Sequence, residues 1–178
     1  SWESLPSRVE RNTNALLDIL ASGNTRATFF FLGWVAEREP LLVRRVVAAG
    51  HEVACHGYSH SLVYRQTPKE FREETRRSKA LLEDQAQIQV LGYRAASYSI
   101  TRRSLWALDA LIDAGFVYDS SIFPVRHDLY GIPDAPRAPH VIRRDSGCLV
   151  EFPPSTAQLP GVRLPVAGGG YFRIWPYW

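Results

Sequence analysis

The sequence predicts an α/β fold in which buried parallel strands alternate with helices. Residues 26–33 form a continuous β-rich apolar run, which suits a strand buried on both faces. Segments with helical periodicity and recognisable end signals lie between such runs. Strand and helix alternate at least three times, which predicts right-handed crossover connections in either a barrel or an open sheet.

The first third of the chain supplies two helices and two strands of this pattern. Residues 5–21 have a broad apolar helical face, and Gly23 is placed to cap the end of that helix. After the strand at 26–33, Pro40 begins a second helix that stops at Gly50. Residues 51–56 then read as a short apolar strand.

The middle of the chain continues the alternation. Thr67 and Glu70 form a capping box, with proline at the first helical position, and open a helix that extends to about Asp84. Three strands, at 89–94, 116–119 and 148–152, and one helix, from Thr101 to Ala114, complete the predicted elements.

Two segments read as loops. Residues 120–140 contain four prolines, and loops of this length in compact domains are usually functional. The triplet Gly168–Gly170 lacks the strand–helix setting of a phosphate-binding loop, so it is interpreted as a structural turn.

Composition restricts the class of protein. With 178 residues, of which 46% are hydrophobic, residues 1–178 suit one globular domain. The net charge of +3 is small, and the arginines are scattered among acids, which excludes a nucleic-acid-binding stripe. No apolar run approaches a transmembrane length. The sequence does not indicate the oligomeric state.

The ends of the chain and its cysteines support further expectations. The chain contains no methionine and finishes in an apolar, aromatic run, so we expect it to be a fragment of a longer protein. Cys55 and Cys148 match no metal or redox spacing. Cys55 is expected to be a small buried strand residue, although a role as a metal ligand is an alternative.

His56 and His60 are the strongest candidate site. Their spacing would place both imidazoles one helical turn apart on one face, and two neutral imidazoles are common in zinc sites. Gly57 stands where a metalloprotease motif needs its glutamate base, which excludes that class. The alternative is two unrelated surface histidines.

Polar residues recur immediately after the predicted strands. Arg94 and Asp119 follow two strands in the way that His56 follows another. Because the carboxyl ends of parallel strands share one edge, these side chains are expected to converge. A surface arginine and a simple turn are the alternative readings of Arg94 and Asp119.

Taken in order, these motifs resemble the polysaccharide deacetylase family, also called the NodB-homology domain. The resemblance covers nearly the whole chain and rests on the segments 27–33, 50–54, 56–60, 94–98 and 118–121. Two more segments, 121–131 and 165–172, resemble a narrower branch, which accompanies exopolysaccharide loci in bacteria with a C-terminal protein-sorting system. The family fold is a distorted (β/α) barrel, here expected to be incomplete at both ends.

The resemblance implies a metal-dependent hydrolase that removes N-acetyl groups from a carbohydrate, either an exopolysaccharide or its precursor. In the family, Zn²⁺ or a similar ion is held by two histidines, which His56 and His60 match, and by an aspartate. Arg94 matches the arginine that orients the catalytic aspartate, and Asp119 matches the residue that orients the acid histidine. Candidate substrate-binding residues are Tyr58, Ser97, Tyr98 and His127.

The chain departs from the family pattern at three places. The opening-strand aspartates, which are the base and the third metal ligand, are absent before Leu5. No histidine follows His140, so the acid histidine is expected beyond Trp178, and Ala96 stands where the family usually has proline. The chain is therefore expected to bind metal weakly and not to turn over.

Two alternative functions remain open at this stage. One is hydrolysis of a small non-sugar amide on the same fold, and the other is a catalytically dead glycan-binding protein. The expected partner of the main reading is an N-acetylated glycan. The compartment is undetermined in this bacterial reading, with a cytoplasmic location slightly favoured over a periplasmic one.

Overall fold

The computed structural model describes residues 7–167, which contain a six-stranded sheet, a two-stranded hairpin and five α-helices. The helices, in chain order, are α1 (Val9–Ser22), α2 (Gly33–Arg38), α3 (Pro40–Ala48), α4 (Pro68–Ala86) and α5 (Trp106–Asp113). The strands are β1 (Thr28–Phe31), β2 (Glu52–Cys55), β3 (Gly92–Tyr93), β4 (Tyr118–Asp119), β5 (His140–Arg144), β6 (Gly147–Glu151), β7 (Thr156–Leu159) and β8 (Val162–Pro165).

The main sheet has the order β1-β2-β3-β4-β6-β5. All neighbours from β1 to β6 are parallel, and only β5 pairs antiparallel, with β6. This confirms the predicted α/β fold with parallel strands. Over the described residues the sheet has two edges, β1 and β5, and its strands do not close into a ring.

The core lies between the sheet and α3, α4 and α5. The ring of Phe71, at the start of α4, meets the rings of Tyr93 and Trp106 edge-on, at centroid distances of 5.9 and 5.5 Å. Thr67 forms the predicted capping box with Glu70 at the start of α4. This capped, well-packed helix covers β2 and supports the loop that follows it.

Several boundaries differ from the sequence-based expectations. The helix expected from Thr101 to Ala114 is divided into a 3-10 turn, Arg102–Ser104, followed by α5. The strand expected at 89–94 is only two residues long, Gly92–Tyr93, although Leu91 and Arg94 still form backbone hydrogen bonds with the neighbouring strands.

Three elements were not predicted at all: α2, β5 and the β7–β8 hairpin. Each is short and depends on long-range packing, which sequence periodicity does not report. The long loop was predicted correctly up to His140, where β5 begins. The predicted turn Gly168–Gly170 lies outside the described residues. Within residues 7–167, none of the helices has the length and hydropathy needed to span a lipid bilayer.

Candidate functional site

Two rows of residues mark the carboxyl ends of four neighbouring parallel strands. The strand register aligns Cys55 with Tyr93, Tyr93 with Asp119, and Asp119 with Glu151. These aligned residues form one row, called here the inner row. The residue that follows each of them on its strand belongs to the outer row, which is His56, Arg94, Ser120 and Phe152. Because side chains alternate along a strand, the two rows face opposite sides of the sheet.

The predicted residues therefore meet at one edge but not on one face. His56 and Arg94 lie in the outer row. Asp119 lies in the inner row with Tyr93, on the side covered by helices, and it is completely buried. The side chains of His56, Arg94 and Asp119 were expected to converge on one point, and they do not. Asp119 is connected to the other two only indirectly.

The imidazole of His56 is oriented by the backbone of the neighbouring strand. Its Nδ1 atom lies 2.7 Å from the carbonyl oxygen of Arg94. A carbonyl can only accept, so Nδ1 carries the hydrogen and Nε2 keeps its lone pair, which is the usual state of a metal-binding histidine. Burial lowers the pKa of His56 to about 4, so the ring is neutral at pH 7.

His60 approaches His56 through a tight turn. The ring centroids are 5.1 Å apart and the rings are nearly perpendicular. The prediction of helical spacing was wrong, since Gly57 and His60 adopt φ values of +76° and +61° and no helix forms there. Left-handed backbone at these two positions returns the chain on itself and brings the second ring back beside the first.

Glu74, on α4, fixes this turn. Its Oε1 atom accepts hydrogen bonds from the backbone N–H groups of Tyr58 and Ser59, at 2.9 and 2.7 Å, and from the Ser59 hydroxyl at 3.0 Å. Glu74 is not among the site residues predicted from the sequence. The available signal was its position between Phe71 and Ser78 on the buried face of the helix, where an acid is unusual.

Tyr58 was predicted to bind substrate, but the structure places it between α2 and α4. Its hydroxyl donates to Glu37 and accepts a 2.9 Å hydrogen bond from Arg77. The Arg77 guanidinium also lies 4.0 Å from the centroid of the Tyr58 ring. These contacts secure the outer side of the turn, and a role for Tyr58 in substrate binding stays a prediction.

Arg94 is held by the strand next to its own. Its guanidinium donates to the carbonyl oxygen of Ser120 at 3.1 Å and to the Ser120 hydroxyl at 2.6 Å. The same group lies 4.1 Å from the centroid of the Phe30 ring. The backbone of Arg94 thus orients His56 while its side chain joins β3 to β4.

The three remaining predicted binding residues lie on the loops around Arg94. Ser97 is exposed and Tyr98 half-buried, and both have positive φ, at +50° and +54°. Tyr98 meets the Tyr130 ring edge-on at 5.9 Å. The exposed ring of His127 stacks on Tyr130 at 3.8 Å, so His127 packs against its own loop, and a role in substrate binding stays a prediction.

Asp119 has an acidic neighbour that sequence analysis did not find. Glu151 is aligned with it on β6, and both side chains have an exposed fraction of 0%. Burial raises the pKa of Asp119, and burial together with the Asp119 charge raises the pKa of Glu151. The signal that could have revealed Glu151 was a lone acid at the end of a predicted buried strand.

The described residues contain no complete ligand set for a metal ion. Within residues 7–167, no third His, Cys, Asp or Glu side chain joins His56 and His60 in a cluster able to hold an ion. Cys55, considered as a ligand, is buried in the inner row, as its strand assignment predicted, and burial raises the pKa of its thiol to about 12.

A groove leads away from His60. A cavity of about 540 Å³ beside His60 and a second of about 490 Å³ share the residues Arg65 and Gln66. The second cavity extends to Trp106 and to the stacked pair of His127 and Tyr130. Arg65 and Gln66 thus line both cavities, and the aromatic side chains line the second one.

Comparison with known proteins assigns the family. The profile of the polysaccharide deacetylase family matches residues 2–115, and a domain of unknown function, DUF3473, matches residues 120–178. The chitooligosaccharide deacetylase of Bradyrhizobium sp. (strain ANU 289) is 42% identical over 62 residues, which are 35% of this chain and 28% of that protein. The peptidoglycan-N-acetylglucosamine deacetylase of Bacillus cereus is 36% identical over 70 residues, or 39% and 26% of the two chains.

Solved structures show the same fold. A putative polysaccharide deacetylase from Mycobacterium smegmatis superposes with a TM-score of 0.67 at 28% identity, covering 89% of this chain and 52% of that one. A family 4 carbohydrate esterase from Streptomyces lividans, in complex with acetate, gives 0.57 at 27% identity, covering 68% and 59%. The matched part is about a quarter of the two curated relatives. With nearly two thirds of its length matched by one family profile, the chain belongs to the polysaccharide deacetylase family.

Proposed function

We propose that this chain carries part of the active site of a metal-dependent hydrolase that removes N-acetyl groups from a carbohydrate. The observation that carries the proposal is the pair of imidazoles at the strand ends. His56 presents Nε2 in the correct tautomer because Nδ1 is bonded to the Arg94 carbonyl, and the ring of His60 lies 5.1 Å away.

His56 and His60 fit a divalent ion of the Zn²⁺ type, which binds imidazole nitrogen readily. A bound metal of this kind lowers the pKa of water and polarises a carbonyl group. Since the described residues supply two ligands, water or residues outside the described range would supply the others. We therefore expect weak metal binding by this chain alone.

Arg94 and Asp119 are proposed to support the reaction in different ways. The guanidinium of Arg94 lies on the same face as His56 and is already fixed by Ser120, so it can orient a catalytic carboxylate. Asp119 is buried on the other face of the sheet. We propose that it positions neighbouring groups, such as an acid histidine or the loop that follows β4, and that it does not touch the substrate.

The shape of the site favours a glycan over a small amide. The cavity beside His60 shares Arg65 and Gln66 with a neighbouring cavity that is lined by Trp106 and Tyr130. An open, aromatic-lined groove suits a chain of sugar rings, which stack their apolar faces on aromatic side chains. The two similar enzymes described above, a chitooligosaccharide deacetylase and a peptidoglycan-N-acetylglucosamine deacetylase, support the same substrate class.

We further propose an exopolysaccharide, or its precursor, as the natural substrate. This finer proposal is supported only by the resemblance of segments 121–131 and 165–172 to the exopolysaccharide-associated branch. The test is acetate release by the complete gene product from the N-acetylated exopolysaccharide of the producing bacterium and from tetra-N-acetylchitotetraose. Each reaction would be run with Zn²⁺ or Co²⁺ and after chelation. Metal-dependent acetate release supports the assignment, and its absence on every N-acetylated glycan would reject it.

Two competing functions can be distinguished by simple assays. If the protein is a small-amide hydrolase, its activity should not be higher on a tetrasaccharide than on a disaccharide. If it is a glycan deacetylase with a long groove, its activity should be clearly higher on the tetrasaccharide. The incomplete ligand set within residues 7–167 favours, as the second candidate, a catalytically dead glycan-binding protein. Its signature would be glycan binding that is unaffected by a chelator.

A further inference from the structure

The buried carboxyl groups of Asp119 and Glu151 form an incomplete hydrogen-bonding arrangement. Asp119 Oδ1 accepts from the Ser121 hydroxyl at 2.5 Å, and Glu151 Oε1 accepts from the backbone N–H of Ile122 at 3.0 Å. The second oxygen of each group, Asp119 Oδ2 and Glu151 Oε2, is buried and has no partner among the described residues. The two residues are directly aligned on neighbouring strands.

A single proton would resolve both deficiencies. Two ionised carboxylates held side by side in a buried site repel one another, and each unpaired oxygen costs desolvation energy. If one carboxyl is protonated, it becomes a donor, and the two orphan oxygens join in one O–H···O hydrogen bond. The same arrangement places one negative charge, rather than two, in the core.

The local donors decide which group holds the proton. Asp119 Oδ1 accepts a hydrogen bond from the Ser121 hydroxyl, and the nearby backbone N–H groups of Ser120 and Ser121 also lower the pKa of Asp119 and so favour its ionised form. Glu151 receives one backbone hydrogen bond, and the Asp119 charge opposes its ionisation. The neutral partner is therefore Glu151.

We propose that Glu151 carries a proton at neutral pH and donates it to Asp119 Oδ2, so that the two residues act as one positioning unit behind the candidate metal site. The positioning role rests on the proposed function, whereas the shared proton does not. Glu151 is not assigned any role by the family resemblance or by the match to the domain of unknown function.

A chain of hydrogen bonds connects this pair to the metal-binding face. The Ser121 hydroxyl, which donates to Asp119, accepts from the backbone N–H of Ala95 at 2.8 Å. The residue before Ala95 is Arg94, whose carbonyl orients His56. Asp119 and Glu151 thus fix the strand-end turn that sets the tautomer and direction of the first imidazole.

The surroundings leave the shared proton as the simplest solution. Directly after β3, Arg94 lowers the pKa of Glu151 through its charge, and on β3 Tyr93 lies in register with Asp119. On β5, His140 lies in register with Glu151, but its Nδ1 contacts the carbonyl of Ala138 at 3.0 Å. On α5, which packs against β6, the charge of Asp109 is paired with Arg144 at 2.6 Å.

The first test is infrared spectroscopy on the complete gene product with ¹³C-labelled glutamate. At pH 7 the wild type should show one isotope-shifted band of a protonated carboxyl, and Glu151→Gln should lack it. Glu73→Gln, at an exposed glutamate on α4, is the matched control and should keep the band. Absence of the band in the wild type would overturn the proposal. Water or a cation would then bridge Asp119 Oδ2 and Glu151 Oε2 in place of a shared proton.

The second test is the pH dependence of unfolding, which a purely structural role would not produce. Glu151 is neutral in the folded protein but ionised in the unfolded chain above its ordinary pKa, so folding takes up a proton. The unfolding constant of the wild type should therefore rise relative to that of Glu151→Gln, approaching about tenfold per pH unit between pH 6 and pH 8. Parallel pH profiles of the two proteins would contradict the shared proton.

The third test separates positioning from the proposed reaction. Glu151→Gln keeps a hydrogen-bond donor, whereas Glu151→Leu removes it, so Leu should weaken Co²⁺ binding about tenfold more than Gln. Equal losses would reject the positioning role and leave the shared proton intact. If the complete protein releases no acetate while the infrared band and the pH slope are present, the proposed function fails and the proton-sharing pair stands.

Discussion

The Nδ1 atom of His56 and the carbonyl oxygen of Arg94 are 2.7 Å apart, across two neighbouring parallel strands. Arg94 therefore acts on the site twice, through its backbone on the imidazole and through its guanidinium on Ser120. An arginine that seemed to be a side-chain contributor is also the residue that determines the histidine tautomer. Loosening its side chain should therefore disturb His56, the proposed metal ligand.

Replacing Arg94 by lysine should weaken metal binding without unfolding the protein. Lysine keeps the charge but loses the two-point attachment to Ser120, so the turn that carries the Arg94 carbonyl becomes less rigid. We expect Co²⁺ affinity to fall about 10- to 100-fold, which is typical of the loss of an orienting group. Isothermal titration of the complete gene product would measure it. Arg76→Gln, at an exposed arginine on α4, is the control and should bind Co²⁺ normally.

The depressed pKa of His56 makes a prediction about acid stability. In the unfolded chain, His56 takes up a proton near the ordinary histidine pKa. In the folded protein, burial lowers the pKa of His56 to about 4, so the ring stays neutral until the pH falls to about that value. The unfolded state thus binds more protons across this window, and the free energy of unfolding must fall as the pH is lowered from about 6.5 towards 4.

Substitution of His56 by asparagine should remove this dependence while an amide N–H still donates to the Arg94 carbonyl. Between pH 7 and pH 5, the metal-free wild type should lose about 2 kcal/mol relative to His56→Asn, by urea unfolding. His127→Asn, at an exposed histidine, is the control and should follow the wild type. A constant difference between wild type and His56→Asn across this range would show that His56 is not neutral by burial.

The sequence was sufficient for the parts of the site that lie close together along the chain. The apolar strand before His56, and the recurrence of polar residues after strands, placed His56 and Arg94 at one edge of a parallel sheet. These are local signals of strand ends, and the register between β2 and β3 confirms them.

What sequence reasoning could not supply was the side of the sheet and the distant partners. Asp119 is aligned with Tyr93 and not with Arg94. Its side chain therefore lies on the face of the sheet opposite to that of Arg94. Glu74 and Glu151 come from a helix and a strand far along the chain, and only the assembled packing brings them to the site. Periodicity within one element carries no information on such contacts.

Glu74 should be the strongest single stabiliser of the histidine turn. Its carboxylate accepts hydrogen bonds from two backbone N–H groups and one hydroxyl. Removing the carboxylate leaves the backbone N–H groups of Tyr58 and Ser59 without these hydrogen bonds. We expect Glu74→Ala to lower the free energy of unfolding by about 2 kcal/mol and to weaken Co²⁺ binding as well. Urea unfolding and metal titration would measure the two effects.

The control for Glu74 is its neighbour Glu73. That side chain is exposed and lies 3.9 Å from Lys69 in a surface ion pair, so Glu73→Ala should cost well under 1 kcal/mol. If the two variants had equal stability, Glu74 would be a bystander and the turn would be held by its contacts with α2.

Gly92 should be intolerant of even a methyl group, because the ring of Tyr118 lies directly across it. An added Cβ would stand 2.1 Å from Tyr118 Cζ, and the same ring is held in place by a 2.7 Å hydrogen bond from its hydroxyl to Glu52. The ring cannot move aside without losing that bond, so Gly92→Ala should destabilise the protein by about 1–3 kcal/mol.

The double variant Gly92→Ala, Tyr118→Val tests whether the clash is the cause. With the ring removed, the three atoms nearest to the added methyl group are gone, so the cost of Gly92→Ala in the Tyr118→Val background should fall below about 1 kcal/mol. Gly23→Ala is the matched control, since a Cβ there would have its nearest neighbour at 3.4 Å. Equal costs of Gly92→Ala in both backgrounds, by urea unfolding, would place the strain in the backbone of β3. The Tyr118 ring would then not be what requires glycine at the strand that presents Arg94.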